Sequence, residues 1–312
     1  MDAWLPATLR ALYALDLGEW GPEDIGRVLV ELGWTPDGVT AGLLRTPLPG
    51  GLAYLGDDAD HGPVLSVPIP SGTGTFRTAR RLAEDVLGPP TLLGGPGAWL
   101  RWRAPATTIR LDARSIRLTA TDRFEATELR TFAYEFGAGP YLWCMAPAGR
   151  FLPGDRPAAD WDELTERLTA TVESLAADLP ALDQTPATLS LNGGTGPVPP
   201  TCYVAFGADG LRVEFPGDPT PERVEALTGM GWRPPSEEWV TALADDAFDW
   251  SSAPSGSASF SADVGRDAGE ATRLAVGALR ELGLRPDALT YWMGRDGEGL
   301  NAHLPYAGVV QG

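Results

Sequence analysis

The segments PEDIGRVLVELGW at 22–34 and PERVEALTGMGW at 221–232 carry one pattern twice, once in each half of the chain. Each begins with Pro, which suits the first turn of a helix because its missing N–H would have no partner there anyway. Each ends with a Gly that can adopt the left-handed conformation closing a helix, followed by a Trp. An internal echo of this kind predicts two related domains and favours a binding or scaffolding protein.

The overall composition supports two folded domains and argues against some partners. The 312 residues exceed the usual size of one domain, and a hydrophobic fraction of 43% is enough to build cores. A formal charge of −18 repels phosphate backbones and anionic bilayers, so nucleic acid and membrane surfaces are poor candidate partners. The same charge favours a basic ligand. All 24 basic residues are Arg, which indicates a GC-rich genome such as that of an actinobacterium.

Hydrophobic patterns along the chain predict an α+β fold, with each domain an antiparallel sheet packed by helices. At 107–111 and 115–121 apolar residues alternate with polar ones, which is typical of a sheet with one face in water. A long helix is predicted after Asp160, with Asp160 capping its start and Glu163 reaching back. The residues ADG at 208–210, between two strand-like segments, predict a hairpin.

A stretch rich in Pro and Gly separates the two patterns. Residues 147–157 are predicted to be a linker, which gives an N-terminal α+β domain at 1–146 and a C-terminal domain at 158–312. The first residues lack the basic start and the uninterrupted apolar run of a signal peptide, and no transmembrane helix is predicted. We therefore expect a cytoplasmic protein.

The second half contains four ordered segments that match one family. They are the helix start from Trp161 to Leu164, YVAF with LRVE within 203–214, GWRPP at 231–235, and ALRELGL with LTY within 278–291. In this order, over 158–296, they resemble the domains grouped with type III secretion chaperones and YbjN proteins, known as TY-Chap domains. The resemblance implies an α+β sandwich that holds peptide segments of a client, as a homodimer and without catalytic residues.

The first half is similar to a different group of proteins. LGW at 32–34, LGPPT at 87–91 and LRWR at 100–103 resemble an uncharacterised actinobacterial family of the same general shape. This resemblance implies no activity.

The two histidines do not suggest a reaction centre. His61 follows the aspartates at 57, 58 and 60, a pattern more typical of a solvated acidic loop than of a metal or acid–base site. His303 has no partner nearby in sequence, and two His residues are too few for a metal triad or a Ser-His-Asp arrangement. We expect no catalytic residue, no metal and no cofactor.

The remaining reactive or ligand-like motifs also have simpler interpretations. Cys144 and Cys202 are far apart in sequence and are predicted to be buried thiols rather than a disulfide. The Gly- and Thr-rich segment 71–75 precedes a helix, but no Lys follows it, which favours a tight turn over a phosphate loop. The aspartates at 245, 246 and 249 lack the spacing of a calcium loop.

Aromatic residues of the second half are the candidates for peptide contact, because aromatic side chains often anchor interfaces. The candidate peptide-binding residues are Trp239, Trp250, Trp292, Tyr203 and Phe206. Trp34 and Trp232 are instead predicted to pin helix ends to the sheet. A sheet of strands at 203–206, 211–215, 248–250 and 257–264 is expected to offer an apolar strip, with recognition by edge pairing and side-chain pockets.

Arginines cluster on the predicted strands of the first half. The set comprises Arg101, Arg103, Arg110, Arg114 and Arg117. It forms either a basic face that receives an acidic partner or the solvated side of the sheet, paired with carboxylates. Both interpretations stay open from the sequence.

The leading functional hypothesis is a non-enzymatic, cytoplasmic, chaperone-like protein that binds a client peptide or protein segment. The first alternative is an immunity or regulatory protein of a toxin or conflict system, which would bind one folded partner. The second is an enzyme of unknown type, for which Asp57, Asp60 and His61 form the only cluster worth inspecting.

Overall fold

The computed structural model describes residues 4–58, 62–70, 76–124, 142–144, 156–193, 201–216, 219–237, 259–295, 298–300, 302–304 and 306–311. Its contacts divide the chain into two units, Met1–Trp143 and Cys144–Gly312. Each unit combines a mainly antiparallel sheet with helices, so the predicted α+β class is confirmed. In the described ranges, no helix combines the length and apolar character needed to cross a membrane.

The first unit builds one sheet from short strands. Its helices are α1 (Trp4–Tyr13), α2 (Pro22–Leu32) and α3 (Phe76–Leu87). Its strands are β1 (Thr35–Pro36), β2 (Leu43–Arg45), β3 (Leu52–Asp58), β4 (Gly62–Pro68), β5 (Leu92–Gly95), β6 (Trp99–Arg103), β7 (Thr107–Asp112) and β8 (Ser115–Ala120). They pair in the order β1-β2-β3-β4-β8-β7-β6-β5, and every pair is antiparallel. A short strand, β9 (Leu142–Cys144), spans the boundary between the units.

One face of this sheet is buried by helices. Leu65, Leu118, Ile109 and Trp102 follow one another across four neighbouring strands, and each is at most 1% exposed. The indole N–H of Trp102 donates to the carbonyl of Gly88, just after α3. The opposite face carries the alternating polar residues of β7 and β8, as the period-two pattern predicts.

Among its described residues, the second unit combines three helices with a second sheet. The helices are α4 (Trp161–Ala181), α5 (Pro221–Met230) and α6 (Ala268–Glu281), with a 3-10 turn at Pro286–Ala288. The strands of this sheet are β10 (Ala187–Gly193), β11 (Thr201–Phe206), β12 (Leu211–Phe215), β13 (Phe260–Gly265), β14 (Leu289–Arg295), β15 (Glu298–Gly299) and β17 (Val310–Gln311). The two-residue strand β16 (Ala302–His303) lies outside this sheet. The antiparallel order is β13-β12-β11-β10-β14-β15, and β17 pairs with β14 in parallel.

Helices α4 and α6 pack on one face of the second sheet and on each other. One apolar stripe runs along α4 and comprises Trp161, Leu164, Leu168, Val172, Leu175 and Leu179. All of these are buried except Trp161, which is half-buried. The apolar residues of the strands meet this stripe at every second position: Leu189, Leu191, Val204, Phe206, Val213, Tyr291 and Met293. Burial of this interface from both sides is the main source of stability for the unit.

The repeated sequence pattern folds in the same way in both units. Gly33 and Gly231 take the left-handed conformation, with φ of 68° and 105°, directly after α2 and α5. The next amide in each copy donates back into the helix: Trp34 to the Leu29 carbonyl at 2.8 Å, and Trp232 to that of Leu227 at 3.0 Å. Both Trp side chains are buried. The predicted helix ends and core Trp residues are therefore confirmed.

Helix α4 starts with the predicted cap. The Asp160 carboxylate accepts from the Glu163 amide at 2.8 Å, and the Glu163 carboxylate accepts from the Ala159 amide at 2.8 Å. Residues 147–155 of the predicted linker lie outside the described ranges. The domain limits 1–146, 147–157 and 158–312 therefore stay a prediction.

Candidate functional site

The candidate site lies on the face of the second sheet that α4 and α6 leave uncovered. Because side chains alternate along a strand, the residues between the buried apolar ones point to this face. On β10 these are Thr188, Ser190 and Asn192, and on β14 they include Thr290 and Trp292. Among the described side chains of this face, Trp292 is exposed and Thr188, Asn192, Thr290 and Tyr203 are half-buried.

Tyr203 and Trp292 flank Ser190 in one row across three strands. Ser190 of β10 lies directly opposite Tyr203 of β11 and directly opposite Trp292 of β14. Two strand spacings place the aromatic residues roughly 10 Å apart, about the length of three extended residues. Trp292 is 42% exposed and Tyr203 is half-buried, whereas Ser190 between them is only 4% exposed.

On β10 and β14 the strand positions next to this aromatic pair are polar but uncharged, whereas on β12 Glu214 lies opposite Tyr203. Thr188, Asn192 and Thr290 are half-buried, and Thr201 donates to the Asn192 side-chain oxygen at 3.0 Å. Hydroxyl and amide groups can form hydrogen bonds with the backbone of a peptide, whatever its side chains are. The two rings offer apolar contact area. This part of the face is therefore suited to an extended peptide segment.

The outer part of the same face is occupied by ion pairs. Arg212 lies 2.7 Å from the Glu214 carboxylate and 3.8 Å from that of Asp263. Asp263 also pairs with Arg233. Exposed pairs of this kind contribute little stability, but they neutralise the charges on β12 and β13 locally. The uncharged positions of β10 and β14 near Trp292 are thus bounded on one side by the paired charges of β12 and β13.

Both outer strands have neighbours along part of their length. The amide and carbonyl of Ser261 on β13 bond to the carbonyl and amide of Arg233 at 2.9 and 2.8 Å. On the other side, β14 pairs with β15 near Gly294 and with β17 near Thr290. The sequence led us to expect that a client pairs with the edge of this sheet. Because both outer strands already have partners along part of their length, they offer fewer free backbone N–H and C=O groups than an unpaired edge strand does.

The expectation of an apolar strip is wrong for the described strands. The apolar members of 203–206 and 211–215 point to the helices, because residues of one strand alternate between faces. Only Tyr203 and Trp292 contribute aromatic rings to the open face among the described strand residues. Residues 248–250 of the expected sheet lie outside the described ranges.

Phe206 belongs to the opposite face and is 2% exposed. Its ring lines a cleft of about 340 Å³ between the last turns of α4 and the β11–β12 hairpin, with Ala177 and Pro180 on the helix side. Glu173 and Arg266 also line the cleft. The structure thus separates Phe206 from Tyr203 and Trp292, while Trp239 and Trp250 lie outside the described residues.

The hairpin beside this cleft depends on Gly210. Its φ is +142°, and a Cβ atom at this position would lie 2.3 Å from the carbonyl oxygen of Gly265 on β13. The Gly207 amide donates to the Gly210 carbonyl at 2.9 Å and closes the turn predicted at 208–210. The close approach of two backbones explains why a residue without a side chain stands here.

Reactive groups do not converge at this site. In the described ranges, no three His, Cys, Asp or Glu residues are grouped so that they could hold a metal ion. Burial raises the pKa of the Cys202 thiol, whose side chain is on the helix-covered face of β11. A protonated, buried thiol is a poor nucleophile. His61 and the side chain of Cys144 lie outside the described residues.

Sequence analysis did not single out Ser190, Thr188 or Asn192. The segment ATLSLNG at 187–193 alternates apolar and polar residues, and this pattern marks the three residues as one face of a strand. Only the pairing of β10 with β11 and β14 places them beside Tyr203 and Trp292.

Searches of curated proteins and of solved structures found no match. A comparison with family models matched residues 154–291, which include α4, α5, α6 and strands β10 to β13. The matching family, TY-Chap3, is described as "T3SS (YopN, CesT) and YbjN peptide-binding chaperone 3". The resemblance predicted for the second half is therefore confirmed: residues 154–291 match the TY-Chap3 family.

Proposed function

We propose that this protein is a non-enzymatic, chaperone-like protein that binds a client peptide or an extended protein segment. The observation that carries the proposal is the match of residues 154–291 to a family described as peptide-binding chaperones. We further propose that the client contacts the uncovered sheet face around Tyr203, Ser190 and Trp292.

The chemistry of this face supports a client of broad sequence range. A half-exposed Trp and a half-buried Tyr provide rigid contact area at low entropic cost, and both have a polar atom for hydrogen bonding. Uncharged hydroxyl and amide side chains separate them. Such a surface recognises backbone and apolar side chains, whereas a fixed ion-pair pattern would select one partner.

The charge of the chain defines which clients approach fastest. A net charge of −18 attracts basic segments over a distance of several ångström and repels acidic ones. We therefore propose a basic or neutral client for the second unit. The proposal also includes a cytoplasmic location and a homodimer, which fractionation and light scattering of the purified chain measure directly.

Selection from a display library of random linear peptides tests the proposal. The full chain should enrich related sequences, and their affinity should fall roughly 5- to 150-fold in Trp292→Ala, the range for loss of an aromatic anchor. Val39→Ala is the matched control, because Val39 is also exposed, at 88%, but belongs to the first unit. It should leave affinity unchanged.

Two results would contradict the proposal. Failure to enrich any peptide would favour the alternative in which the chain binds one folded partner, as an immunity or regulatory protein does. Enriched peptides that bind Trp292→Ala and wild type equally would place the client elsewhere. The cleft at Phe206 would then be the next surface to vary.

A further inference from the structure

A row of small residues lies beside the aromatic row of the second sheet. Thr188 of β10 lies directly opposite Gly294 of β14 and directly opposite Ala205 of β11. Each of the three is two residues along its strand from a member of the aromatic row, so both rows belong to one face and lie about 7 Å apart. Because the side chains of this row are short and the rings beside it are large, the two rows form a shallow channel across the strands.

The strand spacing sets the distance between the two aromatic residues along this channel. Tyr203 and Trp292 belong to the two strands that flank β10, so two strand spacings separate them, about 9.4–9.8 Å. Ser190 between them contributes a hydroxyl group and not a third ring. A ligand lying along the channel therefore contacts both rings when it presents apolar groups on one side with this repeat.

The polyproline II conformation has the matching repeat. It has three residues per turn and rises about 3.1 Å per residue, so residues i and i+3 lie on the same side about 9.3 Å apart. In a β-strand the residues on one side are i, i+2 and i+4, which are about 6.6–6.8 Å and roughly 13 Å from the first. Neither distance equals two strand spacings. A polyproline II segment, unlike a β-strand, therefore places two of its side chains on Tyr203 and Trp292 at once.

An α-helix offers a similar distance over two turns, but the chemistry of the face favours polyproline II. Residues i and i+7 of a helix are about 10.5 Å apart, yet the helix uses its backbone carbonyl groups in its own hydrogen bonds. In polyproline II these carbonyl groups are free, and proline has no N–H that needs an acceptor. The face carries donors for them: the hydroxyl groups of Thr188, Ser190 and Tyr203 and the indole N–H of Trp292.

We propose that the uncovered face binds a proline-rich client segment in the polyproline II conformation, with Pro or another apolar residue at positions i and i+3 on Tyr203 and Trp292. Aromatic surfaces bind such segments well because the segment is ordered before it binds and loses little entropy. The inference rests on the proposed function of the chain. It adds the conformation of the client and the spacing of its contacts, and it leaves the remaining positions of the client free to vary.

The charges around the channel favour a segment that is neutral or basic. The positions of the channel on β10 and β14 are uncharged. Arg212 lies opposite Ala205 at one end, and the Glu214 carboxylate is 2.7 Å from its guanidinium group. An arginine that is already paired gives an acidic residue of the client little to bind. The net charge of −18 repels acidic segments as well.

Fluorescence anisotropy with the full chain and two labelled nonapeptides tests the inference. The first peptide is Pro-Ala-Ala repeated three times, which places Pro at i and i+3. The second alternates Pro and Ala and begins and ends with Pro, so no Pro in it has another Pro at i+3. The first should bind roughly fivefold more tightly, the size expected for one further aromatic contact, although it contains fewer prolines. A third probe, an alanine-rich helical peptide with Leu at i and i+7, should bind more weakly than the first.

Variants of the aromatic pair show whether the two rings read the spacing. Tyr203→Ala should abolish the preference for the first peptide, because a single ring cannot distinguish the two spacings. The ratio of the two affinities is measured on one preparation, so it does not depend on the folded fraction of the variant. Tyr203→Phe keeps the ring and should keep the preference. Tyr54→Ala is the matched control, since Tyr54 is also a strand tyrosine, 46% exposed, but belongs to the first unit. It should change neither affinity by more than about twofold.

The inference is overturned if neither proline peptide binds, if the alternating peptide or the helical peptide binds as tightly as the first, or if the preference survives Tyr203→Ala. The display library judges the proposed function separately. Library peptides that need Trp292 but lack Pro or apolar residues at i and i+3 would support the proposed function and overturn this inference. Absence of any enriched peptide, together with no binding of either proline peptide, would overturn both.

Discussion

The rings of Phe215 and Trp232 meet edge to face, with their centroids 6.4 Å apart and their planes at 66°. Phe215 also stacks on Phe260, with centroids 6.2 Å apart. This aromatic cluster connects the end of α5 to β12 and β13, so the residue after the helix cap fixes the helix against the sheet.

Trp232→Ala should strongly destabilise the second unit. Removing a fully buried indole leaves a cavity, and we expect a loss of about 3–5 kcal/mol in the free energy of unfolding. Trp292→Ala, which removes a half-exposed ring, should cost less than about 1.5 kcal/mol. Urea denaturation of both variants measures the difference.

Equal destabilisation by the two Trp changes would contradict this assignment. The same experiment extends to Trp239 and Trp250, which we propose as peptide anchors. Trp239→Ala and Trp250→Ala should keep the unfolding free energy near that of wild type while lowering client affinity by roughly 1–3 kcal/mol.

Glu163 should make the second unit less stable in acid. The hydrogen bond from the Ala159 amide, with help from the nearby Arg156 and Arg167 guanidinium groups, holds the pKa of Glu163 below its ordinary value. The carboxylate therefore stabilises the fold fully above the unfolded-state pKa of about 4.3, and this contribution is lost as the pH falls through the lower folded-state pKa.

Glu163→Gln measures this contribution. At pH 7 it should cost about 1–2 kcal/mol, because Arg167, whose side chain is 3% exposed, loses the carboxylate 3.3 Å away. The difference from wild type should shrink as the pH drops below about 4.3, where wild-type Glu163 also becomes neutral. Glu166→Gln is the control on the same helix. A difference independent of pH would contradict the assignment.

Gly210→Ala should destabilise the β11–β12 hairpin. The new Cβ would clash with the Gly265 carbonyl, and the left-handed φ would strain any L-residue, so we expect a loss of roughly 1–3 kcal/mol. Gly229→Ala is the opposite case. It lies within α5 with nothing within 4 Å of the added methyl, and it should gain up to about 1 kcal/mol. Thermal melting that shows the same sign for both changes would refute this account.

Limited proteolysis should cut first within residues 147–157. Arg150 and Phe151 offer sites for trypsin and chymotrypsin in the predicted linker. Two folded fragments should remain, each with its own melting transition, because each unit has its own buried core. Loss of both fragments after a single cut would show that the units do not fold independently.

Local chemistry explains why some elements are predictable from the sequence. The ends of α2 and α5 depend on one Pro, one Gly and backbone bonds within a few residues, and the start of α4 depends on Asp160 and Glu163. The hairpin at 208–210 is equally local. Each of these features depends only on residues that are close together in the sequence, so it can be predicted without knowing the tertiary structure.

The sequence by itself determined the helix ends, the alternation of the strands, the α+β class and the resemblance of the second half. Only the tertiary structure decided which residues share a surface. Tyr203 and Trp292 are distant in sequence and meet Ser190 because β10 pairs with both β11 and β14. Strand order likewise places Arg101, Arg110 and Arg117 in one row and turns Phe206 away from Tyr203. Register depends on which strands pair, and a shift of one residue would send each side chain to the other face.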